Sequence, residues 1–376
     1  MSNLKRFLGL CLCLCLIVSA SLGQKITKTM NAESPYIKGA KPMFVTIPAP
    51  HLRAGEVPQG VQVPLWSGSF VFEGQTFNFS MVGTDPSKGS ATTKIPLVIV
   101  PIKFVFADGT KLSATQTVCG DVKSAKYRVQ NSPLLKSAAF APGGTNVGTT
   151  QYIDAFQRAS FWNNVSATAP DYHVLFGKVS VKPVQTIQVG ANGKSVAGGP
   201  CALVGEMDIN FFDSIAQGMI SKLAIPASSL PLFLSYNTFL TFNGNCCILG
   251  YHSLTPANQT YAVATYSDPG IFNVPIEDIH ALSHELGEWM DDPFTNNIVP
   301  PWGHIGQQGG CQNNLEVGDP VTGHAFTVAT GGLFPFTYHP EDLVFFPWFA
   351  RSTPSTSVNG FYTFLNEFAG AQGVCQ

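Results

Sequence analysis

Apolar and polar positions alternate with a period of two over residues 69–72 and 76–81, on either side of Glu73-Gly74-Gln75, which predicts a β-hairpin. Residues 95–106 form a β-branched apolar run interrupted by two prolines, and Asp108-Gly109 turns the chain after it. Residues 173–189 read as a hairpin or meander, and 230–242 and 261–266 as strands. A helical period replaces the strand period in two places. Over 149–163, Tyr152, Ile153, Phe156, Ser160 and Phe161 fall near one face; over 209–223, Phe212, Ile215, Met219 and Ile220 do so. Residues 24–58 are polar and punctuated by proline, as a linker or N-terminal arm is. Residues 294–335 are rich in turns, 337–349 are dense in aromatics, and 361–368 suit a closing strand or short helix. No repeat occurs and no linker divides the rest, so residues 59–376 are expected to form a single α+β domain with a β-rich N-terminal part.

A third helical period starts after Pro275. Ile279, Leu282, Leu286 and Met290 fall on one stripe, with Trp289 at its edge; Glu277, His280, His284, Glu288 and Asp291 fall on the other. Glu277 and Asp278 suit a first turn, where carboxylates complement the helix dipole. Pro293 ends the helix by pushing the residue before it out of helical conformation. Gly287 costs about 1 kcal/mol inside a helix, so a close neighbour is expected on its side.

This helix carries the candidate chemistry. His284-Glu285-x-x-Glu288 places an imidazole and a carboxylate four residues apart on one face, where both can reach one ion. Glu285 is offset by about 100° and could hold and deprotonate a water beside that ion. A zinc hydrolase needs three protein ligands and a general base. The third ligand is sought in Asn313-Asn314-Leu315-Glu316-Val317-Gly318-Asp319-Pro320. Glu316 is the first choice, and Asp319 is the alternative ligand or an acceptor that steadies an imidazole. His304 is another candidate. A rival frame pairs His280 with His284, but Ala281 stands where its base would be, so His280 is an auxiliary ligand. His280, His284 and Glu288 together span roughly 12 Å, too far for one ion. One imidazole with two carboxylates is a harder donor set than zinc sites usually have, so Mn²⁺ and Ca²⁺ stand beside zinc as candidates. A polar helical face is more often simply solvated. Here, however, only 12% of residues are charged, so stacking five ionisable groups on one face is unusual.

Other residues have weaker claims. Arg158 is either a carboxylate clamp or a surface arginine, and His252 at a strand end is either an oxyanion partner or a structural histidine. No Gly-x-Ser-x-Gly elbow or phosphate-binding glycine loop occurs.

The N-terminus bounds where this chemistry would act. Lys5 and Arg6 precede an apolar run, and small residues follow from Ser19 to Gly23. Residues 1–23 therefore read as a signal peptide, which predicts a secreted, extracellular or periplasmic protein without a membrane anchor after cleavage. The chain has 21 Lys and Arg against 23 Asp and Glu; losing Lys5 and Arg6 leaves 19 against 23, no footprint for nucleic acid. Cys119, Cys201, Cys246, Cys247, Cys311 and Cys375 remain. An even number in an oxidising compartment implies disulfides, with the adjacent Cys246 and Cys247 expected to bond to different partners.

Three stretches carry a resemblance. They are Leu-Ser-His-Glu-Leu-Gly-Glu-Trp-Met-Asp-Asp-Pro at 282–293, Asn-Leu-Glu-Val-Gly-Asp-Pro at 314–320 and Ile-Leu-Gly-Tyr-His-Ser at 248–253. Together they resemble secreted bacterial proteins of zincin-like metallopeptidase character. More distantly they are similar to the plant phosphate-induced, exordium-like secreted proteins, which carry a related His-Glu-x-x-Glu segment and a later acidic pair. The resemblance covers residues 149–320 in patches. It implies a zincin-like fold, a mixed β-sheet bearing an active-site helix, with metal ligands His284, Glu288 and Glu316 and the base Glu285. The chain differs from true zincins in having Glu288 in place of a histidine.

The expectation is a secreted zinc peptidase acting on peptide or protein substrates. The alternative is a non-catalytic secreted module that binds cell-wall or matrix polymers through Phe334, Phe336, Tyr338, Phe345, Phe346, Trp348 and Phe349, although such rings are more often core.

Overall fold

The computed structural model describes residues 32–376, apart from 38, 49, 50, 200, 202, 331–334, 374 and 376. The expected signal peptide, residues 24–31 of the arm and Phe334 lie outside the described residues.

The chain folds as a mixed α/β structure around one long strand, Thr92–Phe106, in a seven-stranded sheet. On one edge of this strand lie Leu230–Tyr236, parallel, and Lys111–Ser113, antiparallel. On the other edge His173–Val181 and then Gln185–Gly190 both run parallel to it. The segment expected to be a hairpin or meander thus forms two successive strands along one neighbour. Pro183 lies between them and has no N–H to donate to a ladder. Beyond Leu230–Tyr236 the order continues to Thr260–Tyr266 and the antiparallel edge strand Gly250–Leu254. At Pro96 the ladder with His173–Val181 shifts register between Ile95 and Leu97, a bulge at the residue that cannot donate.

Alternation along Thr92–Phe106 divides the core into two layers. Ile95, Leu97 and Ile99 join one layer; Val98, Val100, Ile102, Phe104 and Phe106 join the other. The second layer is covered by helix Ile209–Lys222 through Phe212, Ala216, Met219 and Ile220. The Asp208 carboxylate caps that helix by accepting from Phe211 N at 2.9 Å. The first layer is covered by helices Tyr152–Ser160 and His280–Asp291. Arg158 is buried and donates to the carbonyls of Val147, Pro170 and Tyr172, so it is neither a carboxylate clamp nor a surface residue. The expected hairpin forms as Leu65–Phe72 against Gln75–Val82.

One sequence expectation for the third helix needs correction. It begins at His280, so Glu277 and Asp278 precede it. Asp278 has φ 44°, outside right-handed helical space, and its carboxylate accepts from His339 N at 3.0 Å. The polar stripe is not solvated: every residue from His280 to Asp291 is buried. Gly287 has its expected neighbour. A Cβ there would lie 2.3 Å from Leu343 Cδ1.

Three disulfides join Cys119 to Cys201, Cys246 to Cys247 and Cys311 to Cys375. The adjacent cysteines bond to one another, contrary to expectation, because the other four are already paired across 82 and 64 residues. Among the described residues no helix is long and apolar enough to cross a membrane, and this, with the disulfides, is compatible with a secreted protein.

The aromatic run at 337–349 is core. Tyr338, Phe345, Trp348 and Phe349 are buried, and Phe336 and Phe346 pack against them partly buried. The arm is not a free linker. Lys41 N donates to Cys246 O at 3.2 Å and Cys247 N to Lys41 O at 2.8 Å. Met43 N donates to Cys247 O and Leu249 N to Met43 O, both at 2.9 Å. The arm therefore lies parallel to the strand Asn245–Ile248 and continues over the site helix.

Candidate metal centre

His284 and Glu288 lie one turn apart on the buried helix, with Nε2 and Oε1 2.9 Å apart. The turn Asp319–Val321 brings Asp319 Oδ1 to 3.6 Å from the same nitrogen. Two ligands about 2.1 Å from a tetrahedral ion stand about 3.4 Å apart, so both separations suit a shared cation. Donor atoms of His284, Glu288 and Asp319 all lie within 4.8 Å of one another. Amide donors hold the carboxylates in place. Gln312 Nε2 donates to Asp319 Oδ2 at 2.8 Å, Gln308 Nε2 donates to the same oxygen at 3.1 Å, and Gln307 Nε2 donates to Oδ1. Gly318 N donates to Glu288 Oε1 at 3.1 Å.

The His284 ring is oriented from behind. Its Nδ1 lies 2.6 Å from Glu341 Oε2 and donates to it, which fixes the tautomer and leaves the Nε2 lone pair facing Glu288 and Asp319. The Phe44 ring stacks on the imidazole at 3.4 Å and 9°. Phe44 N donates to Gln307 Oε1 at 2.6 Å, and Gln307 Nε2 donates back to Phe44 O at 3.2 Å.

A second group adjoins the first. His252, Glu288 and Glu316 also offer donor atoms within 4.8 Å of one another. His252 Nε2 lies 2.9 Å from the Asp292 carbonyl and so carries the proton. Its Nδ1 turns to Glu285 Oε2 at 3.3 Å and Glu288 Oε2 at 3.8 Å. Glu316 Oε1 accepts from Thr46 Oγ1 at 2.8 Å and Asn314 Nδ2 at 2.9 Å. The loop thus turns Asp319 toward His284 and Glu316 toward His252, where the sequence favoured Glu316 beside His284.

His280 joins neither group. Its Nε2 accepts from Gly323 N at 3.4 Å and lies 3.4 Å from Glu341 Oε1, so Glu341 stands between two imidazoles. His304 is exposed and groups with Cys311 and Cys375, whose sulfurs are already joined.

Burial governs the electrostatics. Glu285 is raised to about 8 by burial, opposed by its hydrogen bond to His252. Burial, with the charges of Glu316 and Asp319, holds Glu288 well above the carboxylate range; burial and Glu316 do the same to Asp319. Burial alone would lower His252, but the Glu285 hydrogen bond and the charges of Glu316 and Glu285 outweigh it and raise the imidazole to about 9. Burial lowers His280 to about 3 and also lowers His284, against the pull of Glu341. Several buried atoms here have no hydrogen-bond partner: His284 Nε2, Glu285 Oε1 and Glu316 Oε2. Orphaned lone pairs on His284 and Glu316, one in each donor group, fit a cation. The His, Glu and Asp donors could hold a metal ion, and their geometry does not specify zinc.

Sequence reasoning missed Glu341, Phe44 and Thr46, and it weighed His252 without its carboxylate partners. The one available signal for Glu341 was the acidic pair Glu341-Asp342 inside an aromatic run of a charge-poor chain. Compared with known proteins, the chain matches no family model, no curated protein and no solved structure.

Proposed function

We propose that this protein is a secreted metal-dependent hydrolase, a zincin-like peptidase that uses zinc. The reading rests above all on one observation: His284 commits Nδ1–H to Glu341 and presents a bare Nε2 to Glu288 and Asp319. His284, Glu288 and Asp319 would hold the ion. The resemblance of 282–293 and 314–320 to secreted zincin-like proteins supports the same reading.

A divalent cation held there supplies Lewis acidity toward a scissile carbonyl and toward water. Glu285 is the general base. Its carboxylate would take a proton from the attacking water and return it to the departing nitrogen. His252, 3.3 Å away, steadies the ionised form of Glu285. The arm shuts the site: Phe44 lies on His284 and Thr46 is bonded to Glu316, so substrate enters only when residues 41–48 lift away. The alternative, a polymer-binding module, draws on aromatic rings that are largely buried.

The test compares wild type with Glu285→Gln for metal content by mass spectrometry and for peptide turnover. Retained metal with lost turnover supports the reading. No metal in either protein ends it.

A further inference from the structure

Two imidazoles turn a ring nitrogen toward the same buried carboxylates: His284 Nε2 has no hydrogen-bond partner, and His252 Nδ1 meets Glu285 Oε2 at 3.3 Å. His284 commits Nδ1–H to Glu341, and His252 commits Nε2–H to the Asp292 carbonyl. What remains is His284 Nε2 at 2.9 Å from Glu288 Oε1 and His252 Nδ1 at 3.8 Å from Glu288 Oε2. Lone pair facing carboxylate is repulsive unless something positive lies between them. The two contacts use opposite oxygens of one side chain, so Glu288 can offer one oxygen to each of two positive groups.

We infer that the cluster holds a pair of divalent cations bridged by Glu288, the first on His284 and Asp319 and the second on His252 and Glu316. This rests on the metal-centre reading above and extends it to a second ion.

Three observations converge on the second position. Donor atoms of His252, Glu288 and Glu316 lie within 4.8 Å of one another, as do those of His284, Glu288 and Asp319, with Glu288 common to both sets. Glu316 is 1% exposed; Oε1 is tied by Thr46 and Asn314, while Oε2 is buried without a partner. A proton on His252 Nδ1 would satisfy that nitrogen alone and leave Glu316 Oε2 orphaned; a cation satisfies both. Charge points the same way. Glu285, Glu288, Glu316 and Asp319 are all buried around these nitrogens. A second divalent ion would hold these carboxylates ionised, which burial alone disfavours. Glu341 and Asp292 stand outside this group. The first receives His284 Nδ1–H, and Asp292 Oδ1 receives Asn296 N and Asn297 N at 2.9 and 3.0 Å. One carboxylate offering an oxygen to each ion is the geometry of two-metal hydrolases, whose ions lie about 3.5–4 Å apart.

The experiment strips the full-length secreted protein with a chelator and titrates it with Zn²⁺, reading bound equivalents after desalting. Wild type should bind two equivalents. His252→Gln and Glu316→Gln should each bind one, and Asp319→Asn should weaken the other equivalent. Loading with Co²⁺ supplies a readout independent of activity: at two equivalents the ions should be magnetically coupled through Glu288, so the electron-paramagnetic signal per cobalt falls below that at one. One equivalent in wild type, unchanged in His252→Gln, overturns the paired site while leaving the mononuclear reading intact. No binding at all overturns both.

Discussion

Gly318 lies so close to the His284 imidazole that a Cβ on it would stand 2.2 Å from Nδ1 and 2.4 Å from Cε1. The ring cannot retreat, because Glu341 holds Nδ1 and Phe44 covers a face. Gly318→Ala is therefore expected to cost about 1–3 kcal/mol, as overpacking does, and to lower bound metal. Gly309→Ala, with nothing within 4 Å of the added carbon, is the control. Equal melting temperatures and equal metal in the two variants would contradict this account.

Glu341 fixes which His284 nitrogen is bare. Glu341→Ala should weaken metal binding about 10–100-fold, in the range seen when such a supporting carboxylate is lost. Competition with a chelator of known affinity measures it. Glu341→Gln, whose side-chain oxygen can still accept from Nδ1–H, should recover most of the loss.

Phe44 is the arm residue that stacks on His284. Phe44→Ala should speed metal loss to an added chelator and raise the peptide turnover proposed above, because the stacked ring no longer blocks the approach to His284. Stopped-flow measurement of chelation with a coloured chelator gives the rate. An unchanged rate would mean that the arm does not control access.

Asp291 gives a pH signature away from the proposed ligands. Burial raises its carboxyl from 3.8 to about 7, against a hydrogen bond from Gln157. The folded protein therefore holds this proton where the unfolded chain has lost it. Stability is unaffected by this group below about pH 4, falls as pH rises toward 7, and stays reduced above that. A shift of about three units corresponds to at most about 4 kcal/mol. Asp291→Asn should flatten the slope between pH 4 and 7 and raise the melting temperature at pH 8. Urea denaturation across that range tests it; an unaltered slope would count against it.

Gly287 and Leu343 interlock, and a double-mutant cycle tests the fit. Gly287→Ala gains helix propensity of about 1 kcal/mol but drives a methyl into Leu343. Leu343→Ala alone should cost about 2–5 kcal/mol. Combined, the two should cost less than their sum, since the new methyl fills part of the space left by the leucine.

What the sequence revealed follows from what is local. The His284-to-Glu288 frame and the Gly74 hairpin are set by spacing within a few residues, and both were legible. Gly287 even announced a tight neighbour without naming it. What was hidden is long-range. Glu341 comes from 57 residues past His284, and His252 meets Glu285 across 33. Nothing in local periodicity says that 173–181 and 185–190 share a parallel partner, because register there depends on which strand is adjacent. The choice between Glu316 and Asp319 was equally beyond spacing, since a single turn of the loop decides which one faces His284. The polar stripe of the helix faces a polar interior, and periodicity alone cannot distinguish that from water.

The groups around His284 are drawn from a strand at 252, a helix at 284–288, a loop at 316–319 and a distant segment at 341. A growing polypeptide released anywhere before residue 341 therefore lacks the carboxylate that orients the ring. The orientation of His284 is set only after that residue has been added, so shorter products would lack the arranged cluster.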